Sequence, residues 1–172
     1  MNYDSYGDGS QYAAITFLII GLVYGFAFLV IIAVYVVTAI AFMSFFRKVG
    51  VKPWIAWVPV YNNWVRLEVG GQRGWFSLFS IVPYGGIATA VFLGIAAYRN
   101  GIAFRKDSGY VALAVLLPFV WAFILGGNNS VYEPALLTAA GYPPPLAGYG
   151  SVVPNFANVD YQPPAAPQPP AA

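Results

Sequence analysis

Lys52 to Gly86 reads KPWIAWVPVYNNWVRLEVGGQRGWFSLFSIVPYGG, a run of apolar segments broken by proline, asparagine and glycine before any is long enough to cross a bilayer. A transmembrane helix needs about 20 apolar residues in succession, and proline removes a backbone donor wherever it interrupts one. Pro53 to Pro59 is therefore expected as a shallow half-helix against the membrane surface, ended by Asn62 and Asn63. Beyond it Val60, Trp64 and Leu67 fall on one helical side while Asn63, Arg66 and Glu68 lie away from its centre, the pattern of an interfacial helix running to Gly70-Gly71. The alternation from Trp64 to Val69 also fits a strand.

The stretch rhymes with itself and with the segment around Tyr110. Lys52-Pro53-Trp54 leads through apolar residues to Pro59, Arg73-Gly74-Trp75 leads to Pro83, and Arg105-Lys106 with Tyr110 leads to Pro118. Trp and Tyr favour the headgroup level and Lys and Arg the cytoplasmic rim, so each copy reads as a segment going into the membrane from one face. Aromatic residues open apolar segments in membrane proteins generally, which leaves a chance rhyme open. The candidate binding or packing residues of this irregular centre are Trp54, Trp57, Pro59, Tyr61, Asn62, Asn63, Trp64, Glu68, Trp75, Pro83, Gly85 and Gly86.

Upstream, Tyr12 to Phe46 carries no charge and exceeds the length of a span, so a tilted or protruding transmembrane helix is expected. Its β-branched runs would favour strand in water, but hydrocarbon leaves the backbone of an open strand unsatisfied. Gly21 and Gly25 form a small-xxx-small pair suited to close packing, in preference against later helices of the same chain. Met1 to Gln11 reads as a polar tail, without the positive start of a signal peptide. Arg47, Lys48 and Lys52 come directly after the long helix, which by the positive-inside rule puts the amino terminus outside.

Downstream, Trp75 to Tyr98 is long enough to span, yet Pro83-Tyr84-Gly85-Gly86 interrupts it. A straight span would leave Arg99, Arg105 and Lys106 outside, whereas a reversal at Pro83 to Gly86 keeps every basic residue inside and is preferred. Gly86, Ala90 and Gly94 recur at four-residue intervals and offer a smooth face for helix packing. Tyr110 to Leu125 is near the short limit for a span and is expected to run outward, with Pro118 tolerated inside it, leaving the C-terminal tail outside. Ten of the fourteen prolines lie from Pro134 onward, so 128–172 is expected as a disordered tail in which Pro143-Pro144-Pro145 and Pro163 to Pro170 sample polyproline II.

Specific words in the chain carry a family resemblance. A long first span ends in Phe45-Phe46-Arg47-Lys48-Val49-Gly50-Val51, followed by Trp54, Trp57-Val58-Pro59-Val60-Tyr61-Asn62, the run Leu67 to Gln72, Gly74-Trp75 and Ile81-Val82-Pro83. Over Ala13 to Gly126 the chain resembles small actinobacterial membrane proteins of unknown function, sometimes labelled "large exoprotein". It departs from their pattern at Tyr84-Gly85-Gly86 and in the proline-rich tail. The resemblance implies a small polytopic membrane fold and carries no activity with it.

Composition agrees and narrows the chemistry. With 59% hydrophobic and 8% charged residues, water is the wrong solvent, and a net charge of +2 is too small for a nucleic-acid footprint. The chain has no Cys and no His, which removes disulfides, thiolate nucleophiles and the commonest general base and metal ligand. No cofactor, metal or nucleic acid is expected. A Ser44-Lys48 pair is the sharpest hydrolase hypothesis, but nothing marks an oxyanion hole and Lys48 sits among other cations, so an enzyme is not expected. Glu68, with Arg66 and Arg73 nearby, reads as a surface ion pair.

The expected protein is an all-α integral membrane bundle of about three to four membrane helices, including broken or re-entrant segments. Its plan is a polar tail over 1–11, a membrane domain over 12–127 and a disordered tail over 128–172, in the cell membrane with the lipid bilayer and another membrane protein, or itself, as partners. Function is expected through contacts, as a scaffold or accessory subunit of a cell-envelope complex. The alternative is a small carrier or lipid-binding protein whose breaks at Pro59 to Asn63 and Pro83 to Gly86 meet around a polar cavity.

Overall fold

The computed structural model describes residues 5–146, with side-chain surroundings from residue 9 onward. The regular elements among them are helical: α1 (Ser5–Lys48), a 3-10 helix (Pro53–Trp57), α2 (Pro59–Val69), a second 3-10 helix (Gly74–Ile81), α3 (Gly85–Ala103), α4 (Tyr110–Leu116), α5 (Pro118–Gly126) and α6 (Ala135–Ala139). The chain is thus all-α, and Trp64 to Val69 lies in helix, not strand. Two helices, Gly9–Lys48 and Gly85–Ala103, are long and apolar enough to cross a membrane.

The chain divides between Thr38 and Ala39 into two units. The first holds α1 up to Thr38, where large apolar side chains such as Phe17, Leu22, Phe26 and Ile31 are exposed. Helix begins already at Ser5, so the polar residues up to Gln11 continue the coil of the apolar run. Gly21 and Gly25 have open space where a side chain would project.

The second unit is built from the last turns of α1 and a series of hairpins. Two prolines of the sequence rhyme start the second arm of one: Pro59 opens α2, and Pro118 opens α5, positions where the missing N–H costs no helical hydrogen bond. In the first hairpin the Trp54 and Tyr61 rings lie 6.0 Å apart, and Asn62 Nδ2 donates to the Ala56 carbonyl at 3.2 Å. In the second, Phe76 stacks on Phe92 at 4.2 Å and Thr89 Oγ1 donates to the Phe76 carbonyl, so the chain folds back at Pro83-Tyr84 as the preferred expectation has it. Tyr84 takes the left-handed conformation there (φ 64°), and the tight return leaves no room for a side chain at Gly85, whose Cβ would fall on the Phe79 carbonyl.

The third hairpin corrects the expected outward span over Tyr110 to Leu125. Leu117 leaves helical geometry (φ −135°, ψ 66°), and α5 turns back toward the end at which α4 started. Val115 and Pro118 lie against Ala90 and Gly94 in the N-terminal half of α3. The chain after α5 is instead back at the C-terminal end of α3, where the Glu133 N–H donates to the Ala103 carbonyl at 2.8 Å and the Phe104 and Tyr132 rings are 5.1 Å apart. Proline at 118 makes this possible because the Ala114 carbonyl loses the donor that would have continued the helix.

The core of this unit gathers Phe42, Phe45 and Phe46 of α1 against Trp121, Leu125, Phe104, Val65 and Val69. Gly126 allows α5 to touch α1, since a Cβ there would overlap Ser44 and the Phe45 amide, and Gly70 does the same for α2 against Ala96. Residues 128–146 also correct an expectation: Tyr132 and Leu137 are buried in the core, α6 is helical, and the Leu146 N–H donates to the Glu68 carbonyl at 3.2 Å. Burial of two large side chains fixes what the Pro, Ala and Gly content around them would leave loose. The expectations for Pro163 to Pro170 lie outside the described residues.

Candidate functional site

Among the residues singled out in the sequence, the aromatic ones mostly face outward. Trp54, Trp57, Tyr61 and Trp75 are exposed; Trp57 Nε1 donates to Met43 Sδ at 3.1 Å, and Trp75 packs on Phe76 and Phe79. Pro59, Pro83 and Gly86 are exposed as well. Asn62 is buried at the first hairpin, and its Oδ1 has no hydrogen-bond partner. Trp64 is half-buried, donates Nε1 to Glu68 Oε1 at 2.8 Å, and lies so close to Gly74 that a Cβ there would overlap the indole. Glu68 is therefore held by an indole; the ion pair among the described residues joins Arg105 to Glu133 at 2.8 Å.

Ser44 and Lys48 do not face one another chemically. Ser44 Oγ bonds back to the Ala41 carbonyl at 2.6 Å, the usual resting place of a helical serine. Lys48 Nζ reaches the carbonyls of Gly127 and Ser130, which lie just past the C-terminus of α5.

Arg66 is the residue that sequence reasoning placed wrongly. Expected on the polar side of an interfacial helix, it is 9% exposed, on the face of α2 that also buries Asn62, Val65 and Val69. Its guanidinium carbon stands 4.3 Å from the centroid of the Phe42 ring, a cation–π contact with α1. Nη1 donates to Asn63 Oδ1 at 3.3 Å, a long bond and the guanidinium's one side-chain hydrogen bond among the described residues. From residue 9 onward the described carboxylates are elsewhere: Glu68 on Trp64, Glu133 on Arg105, and Asp107 exposed. Burial pulls the Arg66 guanidinium down to about 10, which still leaves it charged at neutral pH. The sequence did hold a signal, an arginine between valine and leucine in a chain with few charges.

Arg66 lines a cleft of about 170 Å³ with Ala90, Leu93, Gly94, Ala114, Val115 and Pro118. Ala90 and Gly94, the small residues marked for helix packing, supply one wall, and the break between α4 and α5 supplies the other. Neither Pro59 to Asn63 nor Pro83 to Gly86 lines this cleft. The arrangement can hold an anion against an otherwise apolar lining.

Residues 54–133 match DUF5684, a family of unknown function. No curated protein and no solved structure matches the chain. The match starts at Trp54, ends at Glu133 and takes in every residue that lines the cleft, while Phe42 and Leu137 fall outside it.

Proposed function

We propose that this is an integral membrane protein that works through contacts, as a scaffold or accessory subunit of a cell-envelope complex. The observation that carries it is the distribution of polarity along the hairpins. Their tips expose Ile81, Val82, Ile87, Leu116 and Leu117, with Tyr84 91% exposed at the outermost turn. The other end of α3, about 28 Å away at 1.5 Å per residue, gathers Lys48, Arg105, Lys106, Asp107 and Glu133 around Ala103 and Ser130. A body with apolar tips and a charged base suits insertion from one face of a bilayer.

In this reading α1 crosses the membrane with its amino terminus outside, Arg47 and Lys48 mark the cytoplasmic face, and the hairpins dip in from that face. The exposed tryptophans on the 3-10 helices sit near Lys52 and Arg73 in sequence, as residues of the headgroup level do. The carrier alternative invoked a cavity shared by the two breaks, and neither break lines the cleft of Arg66. Crosslinking in native membrane followed by affinity isolation tests the proposal: a stoichiometric protein partner supports it. Solute flux in proteoliposomes that disappears on changing Asn62 and Asn63 to Ala would overturn it.

A further inference from the structure

We propose that the cleft between α2, α3 and the α4–α5 break is a phospholipid site in which Arg66 holds the phosphate of an anionic phospholipid. The carrying observation is an uncompensated charge. Arg66 has no carboxylate partner among the described residues, and its one side-chain hydrogen bond, to Asn63 Oδ1, is long at 3.3 Å. A guanidinium nine-tenths withdrawn from water is costly unless an anion or several acceptors replace what it loses, and Phe42 compensates only one face. Phosphate oxygens match the forked donors that remain.

The lining selects a lipid over a free ion. Apart from Arg66 the walls are Ala90, Leu93, Gly94, Ala114, Val115 and Pro118, none of which has a polar side chain for the remaining oxygens of an inorganic phosphate. Ala90 and Val115 carry the lining to the surface, where Val91, Ile95 and Leu116 are also exposed. That apolar strip is where acyl chains lie when the phosphate is seated on Arg66. Gly94 keeps the passage open: its missing Cβ would stand 3.9 Å from Val115, so any longer side chain there occupies the space.

The test uses the full chain solubilised in a neutral detergent, with phosphatidylglycerol, phosphatidylcholine and inorganic phosphate added separately. Bound lipid is counted by native mass spectrometry and the thermal midpoint is followed in parallel. Phosphatidylglycerol is expected to bind and raise the midpoint, with neither phosphatidylcholine nor phosphate doing so to the same extent. Arg66→Met should weaken that binding about tenfold, the loss of one charge-assisted interaction. Gly94→Leu, which keeps the charge and the Phe42 contact but fills the cleft, should weaken it as much and guards against a folding defect in the first variant. Equal phosphatidylglycerol binding in wild type and Gly94→Leu overturns the proposal. So does equal stabilisation by inorganic phosphate, or a wild-type chain that responds to neither lipid while an acidic segment of a partner protein crosslinks to Arg66.

Discussion

The ammonium of Lys48 donates to the carbonyl of Ser130 at 2.7 Å, joining the last turn of α1 to the loop after α5. The same nitrogen also takes the Gly127 carbonyl. The Gly127 carbonyl also accepts the Ser130 N–H at 3.2 Å, so a cation from another helix closes the turn that follows α5. Lys48→Met is expected to lower stability by about 1–3 kcal/mol, the cost of leaving the part-buried Ser130 carbonyl unpaired. Thermal unfolding in detergent measures it, and an unchanged midpoint would mean the contact carries no weight.

That contact also decides where the chain goes next. Since Gly127 to Ser130 lie beside Lys48, the proposed cytoplasmic placement of Lys48 puts them inside, contrary to the outward final span expected from sequence. Asn129 is exposed and the chain has no native cysteine, so Asn129→Cys can be labelled alone. A membrane-impermeant thiol reagent should modify it only after lysis, while Ser10→Cys is modified in intact cells. Labelling of Asn129→Cys in intact cells would reject the dipping hairpins.

Leu137 is 0% exposed in a segment that composition alone assigns to a loose tail. Leu137→Ala should cost about 2–5 kcal/mol, as cavity-forming changes in packed cores do. Thr138→Ala, at an exposed neighbour, should stay within about 0.5 kcal/mol. If both variants melt with the wild type, residues 128–146 do not belong to the core.

Tyr132 is buried with its hydroxyl lacking a hydrogen-bond partner, and that burial pushes the phenol above its ordinary value of about 10. Tyr132→Phe should therefore be neutral or stabilising by about 1 kcal/mol at pH 7. The pH dependence has a definite sign. Below pH 10 the phenol is protonated folded or unfolded; above it the unfolded chain loses the proton first, so stability falls as pH rises. That alkaline loss should be smaller in Tyr132→Phe, and equal slopes for the two proteins would show the hydroxyl to be solvated.

Much of the fold was legible because proline leaves a mark that survives any tertiary context. The reversal behind Trp75 was read at Pro83, whereas Pro53 to Pro59 was read as a half-helix ended by Asn62 and Asn63, which instead lie inside α2, and Tyr110 to Leu125 was read as a span because its apolar length allowed one. The apolar neighbours Val65 and Leu67 were the one local sign of Arg66's burial, and its seat on Phe42 was not legible, because no local periodicity encodes a contact with α1. The same holds for Tyr132 and Leu137, since Tyr132 meets Phe104 and the α6 helix of Leu137 packs on α3, both distant in sequence. At the candidate site, Ala90 and Gly94 were marked for close packing; they lie beside Val115 and Pro118 and border the cleft.

The Glu133 N–H on the Ala103 carbonyl has a consequence for biogenesis. Because the α4–α5 hairpin brings its chain back to the end it left, the charges from Arg99 to Glu133 are gathered on one side of the proposed membrane domain. In the proposed topology none of them has to be carried through hydrocarbon, a step that costs several kcal/mol per charge. Arg66 is the charge drawn inward, and an anion ready to meet it during assembly would lower that single barrier.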